Sequence, residues 1–462
     1  MARPCLPRLC SSTAAGAAPR HRRARTPAAL LRPLLPVALV VSLMSQPADA
    51  AVYESVSNGQ WQSSCTWFVC PPGGVGFPGS GDTALVKHLV TFGAQQRIGT
   101  LVLTGTVTGG SLDIETAGFW QSGTFETGVY NNLRLLDIPH SGPIGIQNLH
   151  GTLNNPLASD ISQSSSYQMH NAGTVNNDGR YSITNDSDIG NSVAVGPVIN
   201  NGPTGSFAKT GGTGTSSVAG SIVFNNQGGI IAAESGTLVI GKLTGNGGVL
   251  NAANGATLQI AAGTLAGAYT GAGAGAVQLG NGIFDGTASF NLPGSLLRWA
   301  GGTIQGAYTN NVALAITGDG HLQGALTNTG VINQSASFTM VPGGIGTLSN
   351  IGSFNITDDS DIQNSIATGP RIVNADTGRF AKTGGAGTSS VSASVVFENQ
   401  GGTIAAETGL LSIGKLVGNG GILNAAAGAT LRLQATDLSG TYTGAGGGTV
   451  ALNGGFQGAA TF

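Results

Sequence analysis

The sequence predicts an all-β chain coiled into a parallel β-solenoid. Three observations carry that expectation: a long phrase is written twice, apolar and polar residues alternate with period two, and glycine punctuates short β-branched runs. The phrase from Phe207 to Leu258, opening FAKTGGTGTSSV, returns from Phe380 to Leu431 as FAKTGGAGTSSV. Aligning Ile183–Tyr269 with Ile356–Tyr442 at a constant offset of 173 gives 59 identities in 87 positions. Repetition on this scale belongs to stacked units that cover one another's apolar faces. From Ile98 the run IGTLVLTGTVTGGSLDIETAGFW alternates apolar residues with Thr, Asp and Glu, the pattern of strands with one buried face.

Composition removes the competing classes. The chain has 462 residues, 40% of them hydrophobic and only 9% charged, too apolar for a disordered tail. Glycine, at 77 residues, follows no three-residue period, which excludes collagen. Asn226-Gln227-Gly228-Gly229, Asn246-Gly247-Gly248 and Asn328-Thr329-Gly330 read as turns. Their recurrence at intervals of roughly twenty residues is the size of one coil. Near twenty coils would then stack at about 4.8 Å into a rod on the order of 90–100 Å long.

Residues 1–50 read as a secretory signal. Seven arginines precede the first acidic residue, Asp49, an apolar run spans Leu34–Met44, and Ala48-Asp49-Ala50 supplies small residues at a cleavage spacing. Removing seven of the 19 basic and one of the 21 acidic residues leaves 12 against 20. The mature chain is therefore acidic and carries no basic patch, so nucleic acid is not an expected partner. Cys65 and Cys70 remain after cleavage; in an exported protein they are expected to form a disulfide, worth roughly 2 kcal/mol for so short a loop.

Residues 51–97 are expected to form an N-terminal cap, in which Trp61, Trp67 and Pro71, Pro72 and Pro78 cover the exposed end of the stack. A sugar-stacking platform made by Trp61 and Trp67 is the alternative. The β-helix then runs over 98–462 and contains a duplicated block, 183–290 and 356–462. Residues 124–180, with His140, His150 and His170, look least regular and are the expected place for extra loops. Between the copies Ile222 becomes Val395 and Val249 becomes Ile422, exchanges expected of a filled core. Ser206→Arg379, Pro203→Asp376 and Gln259→Arg432 mark expected surface positions. Phe462 matches Phe290 in mid-chain, so the sequence is expected to be a fragment that stops inside a repeat.

The phrase Gly205-Ser206-Phe207-Ala208-Lys209-Thr210-Gly211-Gly212, followed by Phe224-Asn225-Asn226-Gln227-Gly228-Gly229 and Ser235-Gly236-Thr237-Leu238, resembles the coils of secreted bacterial β-helix proteins. These are autotransporter passengers and filamentous haemagglutinin-like adhesins. Trp67, Pro78, Gly81, Asp82 and Val86 resemble the start of such regions. The resemblance implies a right-handed parallel β-helix displayed at a Gram-negative cell surface or secreted, with outer-membrane association through sequence beyond this chain. It points to a non-enzymatic adhesin-like or structural passenger whose partners are glycan, matrix or cell-surface ligands, and it identifies no ligand. A carbohydrate-active β-helix enzyme, lyase- or hydrolase-like, is the alternative.

No catalytic or cofactor-binding residue is assigned. Asp186 and Asp188, with their counterparts Asp359 and Asp361 and the neighbouring Asp358, are the candidates for a calcium site, since clustered carboxylates attract hard cations. NDSDIGN is equally a turn sequence in which Asx side chains bond nearby backbone N–H groups. Lys209 and Lys382, Glu234 and Glu407, and Lys242 and Lys415 stand in matched contexts. Duplicate placement argues for salt bridges between coils, or lysine stems lying over apolar surface, and against one catalytic centre. HExxH and nucleophile-elbow phrases are absent from the sequence.

Overall fold

The computed structural model describes residues 50–67, 76–139, 146–193, 196–341, 346–364 and 369–462. The expected signal over residues 1–50 lies outside them apart from Ala50, as do Cys70, and with it the Cys65–Cys70 pairing, and His140. Strand makes up 59% of the structure and helix 1%, and the strands form a parallel β-solenoid of about 18 turns. The all-β solenoid read from the repeat is thus the observed fold.

A regular coil has three short strands separated by bends. Thr152–Asn155, Asp160–Gln163 and Tyr167–Met169 make one coil; Thr174–Asn177, Arg180–Ile183 and Ile189–Asn191 make the next. Each strand pairs in parallel with the strand one coil later, Leu153 opposite Val175 and Ile161 opposite Tyr181. Alternation decides which residue faces inward. The first of these strands in successive coils carries the burial pattern outward-inward-outward-inward, so Leu153, Val175, Ile199 and Phe224 stack in the interior. Aromatic rings continue that stacking: Phe207 lies stacked on Tyr181 at 4.7 Å and edge-on to Phe224 at 4.9 Å. The second copy repeats both contacts, Phe380 lying 4.9 Å from Phe354 and from Phe397.

Parallel pairing begins at the start of the described chain, Val52 opposite Thr83 and Gly59 opposite Val90. Trp61 and Trp67, which follow, are 1% and 2% exposed. Their rings meet edge-on at 4.9 Å, and each indole N–H donates to a backbone carbonyl, Trp61 to Pro78 and Trp67 to Trp61. Both faces are therefore occupied by protein, which overturns the sugar-stacking alternative for this pair.

Two further expectations are corrected. The described strands within 124–180 keep the coil pattern of the rest, with Thr152–Asn155 pairing in register to strands on both sides. Coil length there varies because the bends differ, while the strands keep their phase. Val249 and Ile422 are not core positions: Val249 is half-buried and Ile422 is 41% exposed. A register shift between Asn246 and Gly248 reverses which residues point inward, so Val249 stands outward beside Ile230 of the previous coil. Ile222 and Val395 are both fully buried, as expected.

Candidate functional site: an amide-lined groove

Two rows of asparagine run along the solenoid side by side. The inner row occupies the fourth position of successive strands: Asn132, Asn155, Asn177, Asn201 and Asn226. All five are 0–1% exposed. A buried amide is costly unless its hydrogen-bonding capacity is met, and here the row meets it. Each Nδ2 donates to the Oδ1 of the next coil, at 2.9 Å from Asn132 to Asn155 and 2.7 Å from Asn155 to Asn177. Asn177 and Asn201 continue the row, each at 2.8 Å. The second N–H of Asn132, Asn155, Asn177 and Asn201 goes to a backbone carbonyl, Asp160, Arg180, Ser206 and Ile230 respectively. Asn226 ends the row on the carbonyl of Gly247.

A second inner row of the same kind runs further along the solenoid. Asn310, Asn328, Asn350, Asn374 and Asn399 are linked at 2.8 Å each, and Asn399 ends on the carbonyl of Gly420. Glycine is required where the amides pass the following turn. A Cβ at Gly229 would lie 2.4 Å from Asn201 Nδ2, and one at Gly402 would lie 2.4 Å from Asn374 Nδ2.

The outer row stands one residue earlier, at Asn131, Asn154, Asn176, Asn200 and Asn225, all half-buried. It begins at Asp113, which is 4% exposed and whose carboxylate accepts from Gln95 Nε2 and Asn131 Nδ2, each at 2.7 Å. A carboxylate only accepts, so Asn131 must turn its NH2 towards Asp113 and its carbonyl towards the next coil. Asn154, Asn176, Asn200 and Asn225 follow suit at 2.7, 2.8, 2.8 and 3.1 Å. The outer amides therefore point opposite to the inner ones. Unlike the inner amides, each outer amide from Asn131 to Asn225 has one N–H without a partner among the described residues.

The amides from Asn131 to Asn200 line a groove of about 550 Å³ that crosses consecutive coils. Its walls are Asn131, Asn154, Asn176 and Asn200, with Leu133, Pro156, Asp178 and Gln227 along the turns. The outer row is not copied. Beside the second inner row the corresponding positions hold Thr309, Thr327, Ser349, Val373 and Glu398.

The candidate metal ligands have other partners. Asp186 Oδ1 receives Lys209 Nζ at 2.7 Å and the Gly214 N–H at 2.9 Å. Lys209 is fully buried and also donates to the carbonyls of Asn185 and Gly211, which uses all three of its N–H bonds. The Lys209 hydrogen bond, opposed by partial desolvation and reinforced by its charge, holds the Asp186 carboxyl below the usual carboxylate range. Lys382 and Asp359 repeat the arrangement with Asp358 and Gly384, and the Asp359 carboxyl is lowered for the same reasons. The lysines thus form the expected salt bridges between coils, while their stems lie inside the core instead of over its surface. Asp188 and Asp361 each accept the N–H and hydroxyl of a serine one coil later, Ser217 and Ser390. Asn185 closes the expected Asx turn on the N–H of Ser187. Among the described residues no three His, Cys, Asp or Glu side chains converge as a metal site.

Glu407 pairs with Arg379, whereas Glu234, Lys242 and Lys415 stand exposed. The histidines form an outward stack: His150 Nδ1 lies 3.2 Å from Glu126, and His170 packs on His150 at 4.7 Å. Burial first, and the neighbouring His150 second, hold the His170 ring below its ordinary pKa.

The asparagine rows were legible in the sequence as Asn-Asn pairs spaced 22 to 25 residues apart, yet Asn226 and Asn328 read as turn residues. No family model matches the chain, and comparison with curated proteins and with solved structures found no significant match.

Proposed function

We propose that this chain is a non-enzymatic β-solenoid that displays a binding surface after export, as an adhesin-like or structural passenger does. The observation that carries the reading is how the polar side chains are used. Lys209, Lys382, Asp186, Asp359, Asp188 and Asp361 are committed to bonds between coils, in matched pairs. The groove along Asn131, Asn154, Asn176 and Asn200 presents mainly uncharged amides to a ligand. A single exposed carboxylate there has no second ionisable group beside it to share general acid–base work, so such a surface favours recognition over transformation. Export follows from the signal-like residues 1–50, and the resemblance to bacterial passenger coils favours a Gram-negative cell surface.

A carbohydrate-active enzyme is the second reading. One cluster favours it: Arg97 lies 3.6 Å from Asp113 and 3.5 Å from Glu115 at the head of the outer row. Expression of the full chain in a Gram-negative host, with N-terminal sequencing of the exported protein, tests the first reading. A mature N-terminus at Ala51 and binding of labelled protein to cells or matrix are expected. Chain-shortened products from incubation with polysaccharides, lost in Arg97→Ala or Glu115→Gln, would replace it with the second.

A further inference from the structure

We propose that the groove along Asn131, Asn154, Asn176 and Asn200 binds a neutral oligosaccharide chain lying along the solenoid axis. The inference rests on the display reading above and names the ligand class of its groove.

Four observations converge. The first is a comparison along the solenoid: a second inner asparagine row runs from Asn310 to Asn399, with Thr327, Ser349 and Val373 beside it where the first row has outer amides. Coils of this kind therefore stack without outer amides, and the outer row from Asn131 to Asn225 is not needed to hold them together. The second is spare capacity. The amides of Asn131, Asn154, Asn176 and Asn200 each keep one N–H free of the row, and each carbonyl, which accepts one bond from the next coil, retains a second lone pair. A sugar hydroxyl both donates and accepts, so it can meet a carboxamide on both counts.

The third is periodicity. One amide per coil, at about 4.8 Å, presents the same pair of groups again and again, which suits a polymer of identical units. A peptide strand is a poor fit, because strand addition needs unpaired backbone at a sheet edge. Here the backbone of Leu153, Val175 and Ile199 is paired to coils on both sides. The fourth is charge. The groove holds no cation; its one ionisable residue, Asp178, is exposed. That carboxylate repels anionic polymers and accepts strongly from hydroxyls. Leu133, 41% exposed, and Pro156 offer apolar edges to the C–H faces of sugar rings.

The test titrates the full chain, by calorimetry, with the neutral hexasaccharides maltohexaose, cellohexaose, mannohexaose and chitohexaose in its N-acetylated form. One hexasaccharide is expected to bind per chain for at least one of the four. The variant Asn154→Thr/Asn176→Ser/Asn200→Val, which borrows Thr327, Ser349 and Val373 from beside the second inner row, should weaken that binding at least tenfold with its far-UV circular dichroism unchanged. The single variant Asn200→Val should weaken it by a smaller factor, and serves if the triple variant does not fold. Absence of binding by all four sugars, or affinity unchanged in the variants, overturns the proposal. Shortened sugars recovered from the titration would refute the non-enzymatic reading while leaving the site in place.

Discussion

Replacing Asn201 by valine separates the two asparagine rows sharply. Asn201 Oδ1 accepts from Asn177 at 2.8 Å, and its Nδ2 donates to Asn226 Oδ1 at 2.8 Å and to the Ile230 carbonyl at 3.1 Å. Valine fills much of the volume but leaves an Asn177 N–H and the Asn226 carbonyl buried without their partners. Each orphaned group costs about 1–3 kcal/mol, so the expected loss is about 2–6 kcal/mol, concentrated in the neighbouring coils. Global unfolding is a poor readout, because a solenoid comes apart coil by coil. Native-state hydrogen exchange on peptides spanning residues 174–233 reads the loss locally, as exchange faster by roughly 30-fold to 10⁴-fold. Asn200→Val, one residue earlier and half-buried, should change protection by less than about tenfold, because Val373 occupies that position in the second copy. Equal effects at 200 and 201, or no loss at 201, would refute the division into a structural inner row and a dispensable outer one.

Lys209→Met should remove the donor to Asp186 and two backbone carbonyls, destabilising its coil by on the order of 3 kcal/mol; proteolysis at the Thr210–Thr215 turn measures it, and Lys382→Met should act alike in the second copy. The lowered carboxyls of Asp186 and Asp359 contribute stability that is full above the unfolded carboxylate pKa and is lost as pH falls through the lower folded value. Exchange at Gly214 and Gly387, which donate to those carboxyls, should accelerate in that acid window once corrected for intrinsic rates. His170, lowered by burial and by His150, should titrate below 6.5 by NMR; its share of stability is full above 6.5 and lost as pH falls through the folded value. His150→Gln should move that titration upward. Gly229→Ala should speed native-state hydrogen exchange in peptides spanning residues 198–233, since its Cβ would meet Asn201 Nδ2 and the Gly202 carbonyl at 2.4 Å.

How much of this was legible in the sequence depended on the kind of signal. The solenoid followed from the duplicated phrase and from alternation, both of which record backbone direction one residue at a time. The salt bridges of Lys209 and Lys382 followed from matched contexts, although depth did not: a lysine at 0% exposure is not expected unless its three N–H bonds are all met. Val249 was misplaced because the register shift at Asn246 and Gly248 breaks the alternation on which the inference relied. The asparagines were misread for a physical reason. Asparagine is depleted in strands and favoured in turns, so Asn225-Asn226 before Gln-Gly-Gly reads as a turn. Only stacking one coil on another supplies the partner amide that makes a buried strand asparagine affordable.

The outer row has a property that no single asparagine possesses. Turning one amide over, say Asn176, would set NH2 against NH2 on one side and oxygen against oxygen on the other. The fault can be removed only by turning every member beyond it, so the row behaves like a short chain of coupled spins with one end pinned by the Asp113 carboxylate. Hydrogen bonds aligned in this way polarise one another. The free N–H bonds in the groove therefore share one heading, set five coils away from Asn225, and Asp113→Asn would release the whole file to reverse as a block.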